Sequence, residues 1–145
     1  MKSIKLLILG FFCFYFTSCV YFNTFYNAKN SFKQANEIID NSSFNYENND
    51  IPTSAKKLLN ESIISSNIVI NEYSDSKYVD DAIYYMGRSY FTLAEYFKSE
   101  KYFSELINKY PDSKYFNESK LWLEYTKLKL EPKDVILENL KLVEK

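Results

Sequence analysis

The 145-residue chain contains no histidine, only two glycines, two cysteines and a single arginine. Without histidine it cannot build a histidine-based triad, a histidine general base or a histidine zinc ligand. Two glycines, Gly10 and Gly87, cannot form a glycine-rich phosphate loop or a dinucleotide-binding fingerprint. We therefore predict that the protein is not an enzyme and has no cofactor, metal site or small-molecule substrate.

Charge is nearly balanced, with a formal net value of −1, and Arg88 is the only arginine. A nucleic-acid-binding domain usually shows a strongly basic patch or stripe. No such cluster is visible, so we predict no nucleic-acid partner. Hydrophobic residues make up 46% of the chain, which favours a packed domain over a disordered segment.

The N-terminus reads MKSIKLLILGFFCFYFTSC, with two early lysines followed by an apolar run over residues 6–16. This length and these flanks are typical of a secretory signal peptide, predicted over residues 1–18. The segment Phe16-Thr17-Ser18-Cys19 resembles a bacterial lipobox, which implies that Cys19 carries lipid and anchors the protein to a membrane. An uncleaved signal anchor and plain secretion remain open as alternatives.

Apolar and small residues follow helical spacing through the rest of the chain, predicted as one domain over residues 19–145. No segment shows the sustained alternation of a half-buried strand, so we predict an all-α fold. Helix junctions are expected near residues 41–51, 73–77, 93–95, 110–113 and 129–133, with a terminal helix around residues 135–143.

One six-residue phrase occurs twice, as YSDSKY at residues 73–78 and as YPDSKY at residues 110–115. In each copy a tyrosine is expected to end one helix, and Ser76 or Ser113 to cap the next. Asp80 and Asp81 follow the first copy, where we interpret them as complements to the helix dipole. The phrase therefore indicates one helix junction used twice, 37 residues apart.

Residues 80–113 resemble a tetratricopeptide repeat, a helical hairpin of nominally 34 residues. The resemblance rests on five positions: Gly87, Tyr90, Ser99, Phe103 and Pro111. It implies an α-solenoid of about six helices in antiparallel hairpins, with degenerate repeats on both sides. The stretched 37-residue period resembles the BamD-like tetratricopeptide lipoproteins of outer-membrane barrel assembly, and also periplasmic tetratricopeptide proteins associated with cell division.

Two kinds of site are expected on this hairpin. Gly87 should let the paired helix approach closely, with Tyr90 and Phe103 packed around the contact. A partner-binding surface is predicted from Tyr84, Tyr85, Arg88 and the neighbouring surface at Trp122. We expect one of the adjacent tyrosines to point away from the interior, and we expect Arg88→Glu with Tyr84→Ala to keep stability while losing a partner.

The lipobox and tetratricopeptide resemblances together imply a lipid-anchored scaffold in the bacterial envelope, on the periplasmic side of the outer membrane. It would bind other envelope proteins through its repeat surface, in the manner of a barrel-assembly component. The alternative is a structural adaptor lipoprotein associated with the cell wall or with division. The sequence alone does not choose between them.

Overall fold

The computed structural model describes residues 22–42 and 51–131. Five helices are present in these ranges: α1 over residues 22–40, α2 over Thr53–Glu72, α3 over Val79–Thr92, α4 over Tyr96–Lys109 and α5 over Phe116–Leu130. The described residues contain no strand, so the all-α prediction is confirmed. The signal segment, Cys19 and the predicted terminal helix at residues 135–143 lie outside the described residues.

The helices stack in chain order. The α2 helix packs on α3, α3 on α4 and α4 on α5, while α3 also touches α5 directly. This is the pattern of a solenoid, in which each helical hairpin contacts its immediate neighbours. The predicted tetratricopeptide-like stack is confirmed.

The two copies of the repeated phrase have the same backbone hydrogen bonds. In the first copy the Ser76 N–H donates to the Tyr73 carbonyl at 2.8 Å, and the Val79 N–H donates to the Ser76 carbonyl at 3.2 Å. The equivalent bonds of the second copy, each 37 residues later, measure 3.1 and 3.0 Å. The phrase therefore encodes one junction geometry, and α3 and α5 both begin one residue after it ends.

The serines of the phrase accept hydrogen bonds in the turn before each helix, not at the helix N-terminus as expected. The Tyr78 N–H donates to the Ser76 hydroxyl at 3.2 Å, and the Tyr115 N–H donates to the Ser113 hydroxyl at the same distance. The residues that flank the helices are Tyr78 and Tyr115, and neither helix receives a side-chain cap. The N-cap prediction is therefore wrong, because the serine closes a local turn before the helix begins.

The turn between α3 and α4 has an alanine at a backbone position that usually holds glycine. Ala94 adopts a left-handed backbone with φ of 58°. The next residue donates its N–H to the Tyr90 carbonyl at 2.9 Å, so the bonds of the last turn of α3 are satisfied. Glycine usually takes this position, since a Cβ is disfavoured there by roughly 1 kcal/mol.

Candidate interaction site

Gly87 lies in the middle of α3, directly under the ring of Phe103 from α4. A Cβ added at Gly87 would stand 2.9 Å from the Cε1 atom of Phe103. The Ser99 hydroxyl donates to the Gly87 carbonyl at 3.0 Å, which joins the same two helices a turn away. Phe103 and Ser99 are both fully buried. The structure thus places these three predicted packing residues at the closest approach of α3 and α4.

The other two residues of the predicted packing pattern lie at the edges of this contact. The ring of Tyr90 stacks on that of Tyr102, with centroids 5.6 Å apart. Pro111 lies in the exposed turn between α4 and α5. It follows that Tyr90 contributes to helix packing, whereas Pro111 belongs to the connection.

Tyr84 and Tyr85 are both buried, with exposed fractions of 3% and 7%. The expectation that one of them points away from the interior is therefore wrong. The Tyr84 ring stacks on Tyr115 with centroids 3.9 Å apart, while the Tyr85 ring lies 5.4 Å from that of Phe32 on α1. Neighbouring positions of α3 can both be covered because α3 has packed helices on several sides. Burial also raises the pKa of both tyrosines well above the usual value.

Arg88 and Trp122 come together as expected, but they do so inside the stack. The Arg88 guanidinium carbon lies 3.7 Å from the centroid of the Trp122 ring, a cation–π contact. Its Nη1 donates to the Tyr84 hydroxyl oxygen at 2.7 Å and lies 3.3 Å from Glu118 Oε1. Tyr84 in turn donates to Glu118. The Arg88 side chain is only 18% exposed, so this cluster joins α3 to α5.

A second polar link joins the same two helices near their starts. The Lys114 Nζ donates to Asp81 Oδ2 at 2.7 Å, and Asp81 is 95% buried. Burial raises the pKa of the Asp81 carboxyl more than the lysine lowers it. This residue is therefore more than a complement to the helix dipole, since it also fixes the beginning of α5 against α3.

This geometry corrects the expected behaviour of the double substitution. Removing the Tyr84 ring opens a cavity beside Tyr115, and reversing the charge of Arg88 places two acids together at Glu118. Both changes act on the packed α3–α5 interface. These contacts contradict the premise of an exposed surface, and we now expect the double variant to be destabilised.

The structure also shows that α1 is equivalent to α3, which the search at a 37-residue period missed. The Ser62 hydroxyl on α2 donates to the Ala28 carbonyl on α1 at 2.8 Å, just as Ser99 donates to Gly87. Ser62 and Ser99 are 37 residues apart, whereas Ala28 and Gly87 are 59 apart. The α1–α2 hairpin is therefore an additional repeat with a longer connection.

The contacts between the odd-numbered helices follow the same equivalence. The Phe25 ring on α1 stacks on Tyr78 at 4.5 Å, as Tyr84 on α3 stacks on Tyr115. The Phe91 ring on α3 lies 4.8 Å from that of Trp122, as Phe32 on α1 lies near Tyr85. The α3 helix thus docks on α1 in the way that α5 docks on α3. The sequence did contain a signal, since the spacing of Phe25, Ala28 and Phe32 equals that of Tyr84, Gly87 and Phe91.

The part of the chain that the structure describes was searched for metal-ligand clusters and for membrane-spanning helices. No group of three or more acidic, cysteine or histidine side chains is arranged to hold a metal ion there. None of the described helices is both long and apolar enough to cross a bilayer. The surface depressions include one of about 270 Å³ at the α3–α4 turn and one of about 500 Å³ at the α2–α3 turn.

Comparison with protein families agrees with the geometry of the central hairpin. Residues 81–113 match the family model of the tetratricopeptide repeat, close to the range of 80–113 predicted from the residues. Searches of curated proteins and of solved structures gave no significant match. Tetratricopeptide repeats generally mediate protein–protein interactions and are typically non-enzymatic. The α3–α4 hairpin is therefore a tetratricopeptide-type repeat within a tetratricopeptide-like helical stack.

Proposed function

We propose that the protein is a lipid-anchored scaffold of the bacterial envelope that binds other proteins through its helical stack. The match of residues 81–113 to a tetratricopeptide repeat carries the binding role, because this repeat generally serves protein–protein interaction. Cys19, preceded by a short apolar run and two small residues, supports the anchor. The proposed location is the periplasmic side of the outer membrane, and the proposed role is in outer-membrane protein assembly.

The proposed anchor has a direct test at Cys19. We expect a labelled fatty acid to enter the wild-type protein and not the Cys19→Ser variant, because the cysteine is the acceptor of lipid. Lipoprotein processing adds more than one acyl chain, and two such signals suffice for stable anchoring. Cys13→Ser is the matched control and should label normally. Equal labelling of wild type and Cys19→Ser would rule the anchor out.

The proposed partner is tested by crosslinking in the native membrane followed by co-purification. We expect components of outer-membrane barrel assembly to be captured with the wild-type protein. Capture of cell-wall or division proteins instead would favour the alternative adaptor role.

A further inference from the structure

Each odd-numbered helix carries three side chains at the same spacing, and on α1 and α3 this face lies toward the next odd-numbered helix. On α1 these are Phe25, Lys29 and Phe32, called the α1 face; on α3 they are Tyr84, Arg88 and Phe91, called the α3 face; and on α5 they are Leu121, Tyr125 and Leu128, called the α5 face. The first face receives α3 and the second receives α5. No helix among the described residues packs on the third face, and its side chains are between 50% and 56% exposed.

Both occupied faces place a basic residue in the middle and receive an acidic one from the incoming helix. On the α3 face Arg88 pairs with Glu118 at 3.3 Å. On the α1 face Lys29 takes the position of Arg88 and Asp81 that of Glu118, and Asp81 pairs at 2.7 Å with Lys114 at the start of α5. The α5 face departs from this rule, because Tyr125 takes the place of the cation.

The opposite end of the stack shows the complementary departure. Two side chains of α1, Phe22 and Tyr26, occupy the positions that Asp81 and Tyr85 occupy on α3 when it docks. We call them the outer α1 pair. Phe22 thus replaces the acid of the incoming helix, and the two rings remain 51% and 53% exposed. The outer α1 pair therefore lacks the acidic residue, and the α5 face lacks the basic residue, that the occupied faces have at the equivalent positions.

We propose that the α5 face of one copy of this chain receives the outer α1 pair of a second copy. Charge neutrality on both sides supports this match, because an apolar face paired with a charged helix would leave an ion desolvated. In the register of the occupied faces, Tyr26 would lie against Tyr125 and Leu128, and Phe22 against Leu121 and Tyr125. The contact is head-to-tail, so it propagates into a chain of copies or closes into a ring. The inference depends on these two surfaces and not on the lipid anchor.

Charge substitutions at the two surfaces test the contact. Phe22→Glu and Tyr125→Arg each put a single charge into an apolar interface, so each variant alone should associate at least about tenfold more weakly than wild type. An equimolar mixture should associate again. One contact in the mixture joins two unaltered surfaces, and the other pairs the introduced glutamate with the introduced arginine, as in the inner faces.

The measurement is sedimentation velocity of the full chain in a mild non-ionic detergent over a range of protein concentrations. Wild type should gain mass with concentration, and Phe97→Glu should behave like wild type, because Phe97 is 79% exposed on α4 and belongs to neither surface. Circular dichroism melting of each variant separates loss of association from loss of fold.

Three results would overturn the proposal. A wild-type protein that stays monomeric at every concentration would mean that another occupant, such as residues 132–145 of the same chain, covers the α5 face. If Phe22→Glu associates more weakly than wild type but Tyr125→Arg associates as strongly as wild type, the outer α1 pair contacts itself or the detergent. A mixture that fails to associate would exclude the head-to-tail arrangement.

Discussion

Tyr84→Ala is expected to lower the free energy of unfolding by about 3–5 kcal/mol, the usual range for removing a buried aromatic ring. The ring is 97% buried, stacks on Tyr115 at 3.9 Å and meets Phe103 edge to face. Its hydroxyl also joins Arg88 to Glu118. Since a whole domain of this size is stable by only about 5–15 kcal/mol, the variant should lose a large fraction of its stability.

Tyr84→Phe separates the ring from the hydroxyl. It keeps the stacked ring and loses two hydrogen bonds, while Glu118 retains Arg88 and Trp122 as partners. We expect a loss of about 1.5–3 kcal/mol, the range for hydrogen bonds with charged partners. Urea unfolding followed by circular dichroism at 222 nm gives both values. A loss below 1 kcal/mol for Tyr84→Ala would contradict the packing role of Tyr84 and favour the original prediction that it binds a partner.

Gly87→Leu is expected to lower the free energy of unfolding by about 3 kcal/mol, the upper end of the range for overpacking a core. Even the smallest side chain conflicts with the ring of Phe103, whose nearest atoms would lie 2.9–3.1 Å from a Cβ at Gly87. Gly87→Ala should therefore destabilise as well, although alanine favours a helix by about 1 kcal/mol over glycine. Thermal melting in the absence of any partner provides the measurement.

The cause can be verified by shrinking the opposing ring. In a Phe103→Leu background the aromatic edge is gone, so Gly87→Ala should become neutral or stabilising. Ser89→Ala is the matched control on the same helix: Ser89 is buried, and its hydroxyl has no hydrogen-bond partner among the described residues. If Gly87→Ala remains equally harmful beside leucine, the close approach to Phe103 is not its cause.

The α1–α2 hairpin supports this explanation, because at the equivalent contact it has a larger residue on its first helix and a smaller residue on its second helix. Ala28 stands where α3 has Gly87, and Ser66 stands 37 residues before Phe103. Both are fully buried. A larger residue on one helix thus accompanies a smaller one on the other. Close packing makes such paired exchanges necessary, since interiors tolerate neither voids nor overlap.

The sequence predicted those features that local spacing determines. The duplicated phrase located two junctions and the starts of α3 and α5, because its turn is built from short-range hydrogen bonds. The resemblance of residues 80–113 to a tetratricopeptide repeat also identified Gly87 and Phe103, because both residues belong to one hairpin. Arg88 and Trp122 were placed together because each follows its own copy of the phrase at a known distance.

The features that were missed depend on contacts between distant segments. Nothing local to Tyr84 and Tyr85 shows that α1 covers one ring while α5 covers the other. Likewise, the long connection between α1 and α2 hid the first hairpin from a search at a fixed period. Burial of Arg88 was missed because it arises from Trp122, 34 residues further along the chain.

That long connection also affects the order in which the hairpins close during folding. The bond between Ser99 and Gly87 closes a loop of 12 residues, whereas the bond between Ser62 and Ala28 closes one of 34. Loop-closure entropy makes the second closure costlier by about 0.9 kcal/mol. We therefore expect the α3–α4 hairpin to close before the α1–α2 hairpin during folding.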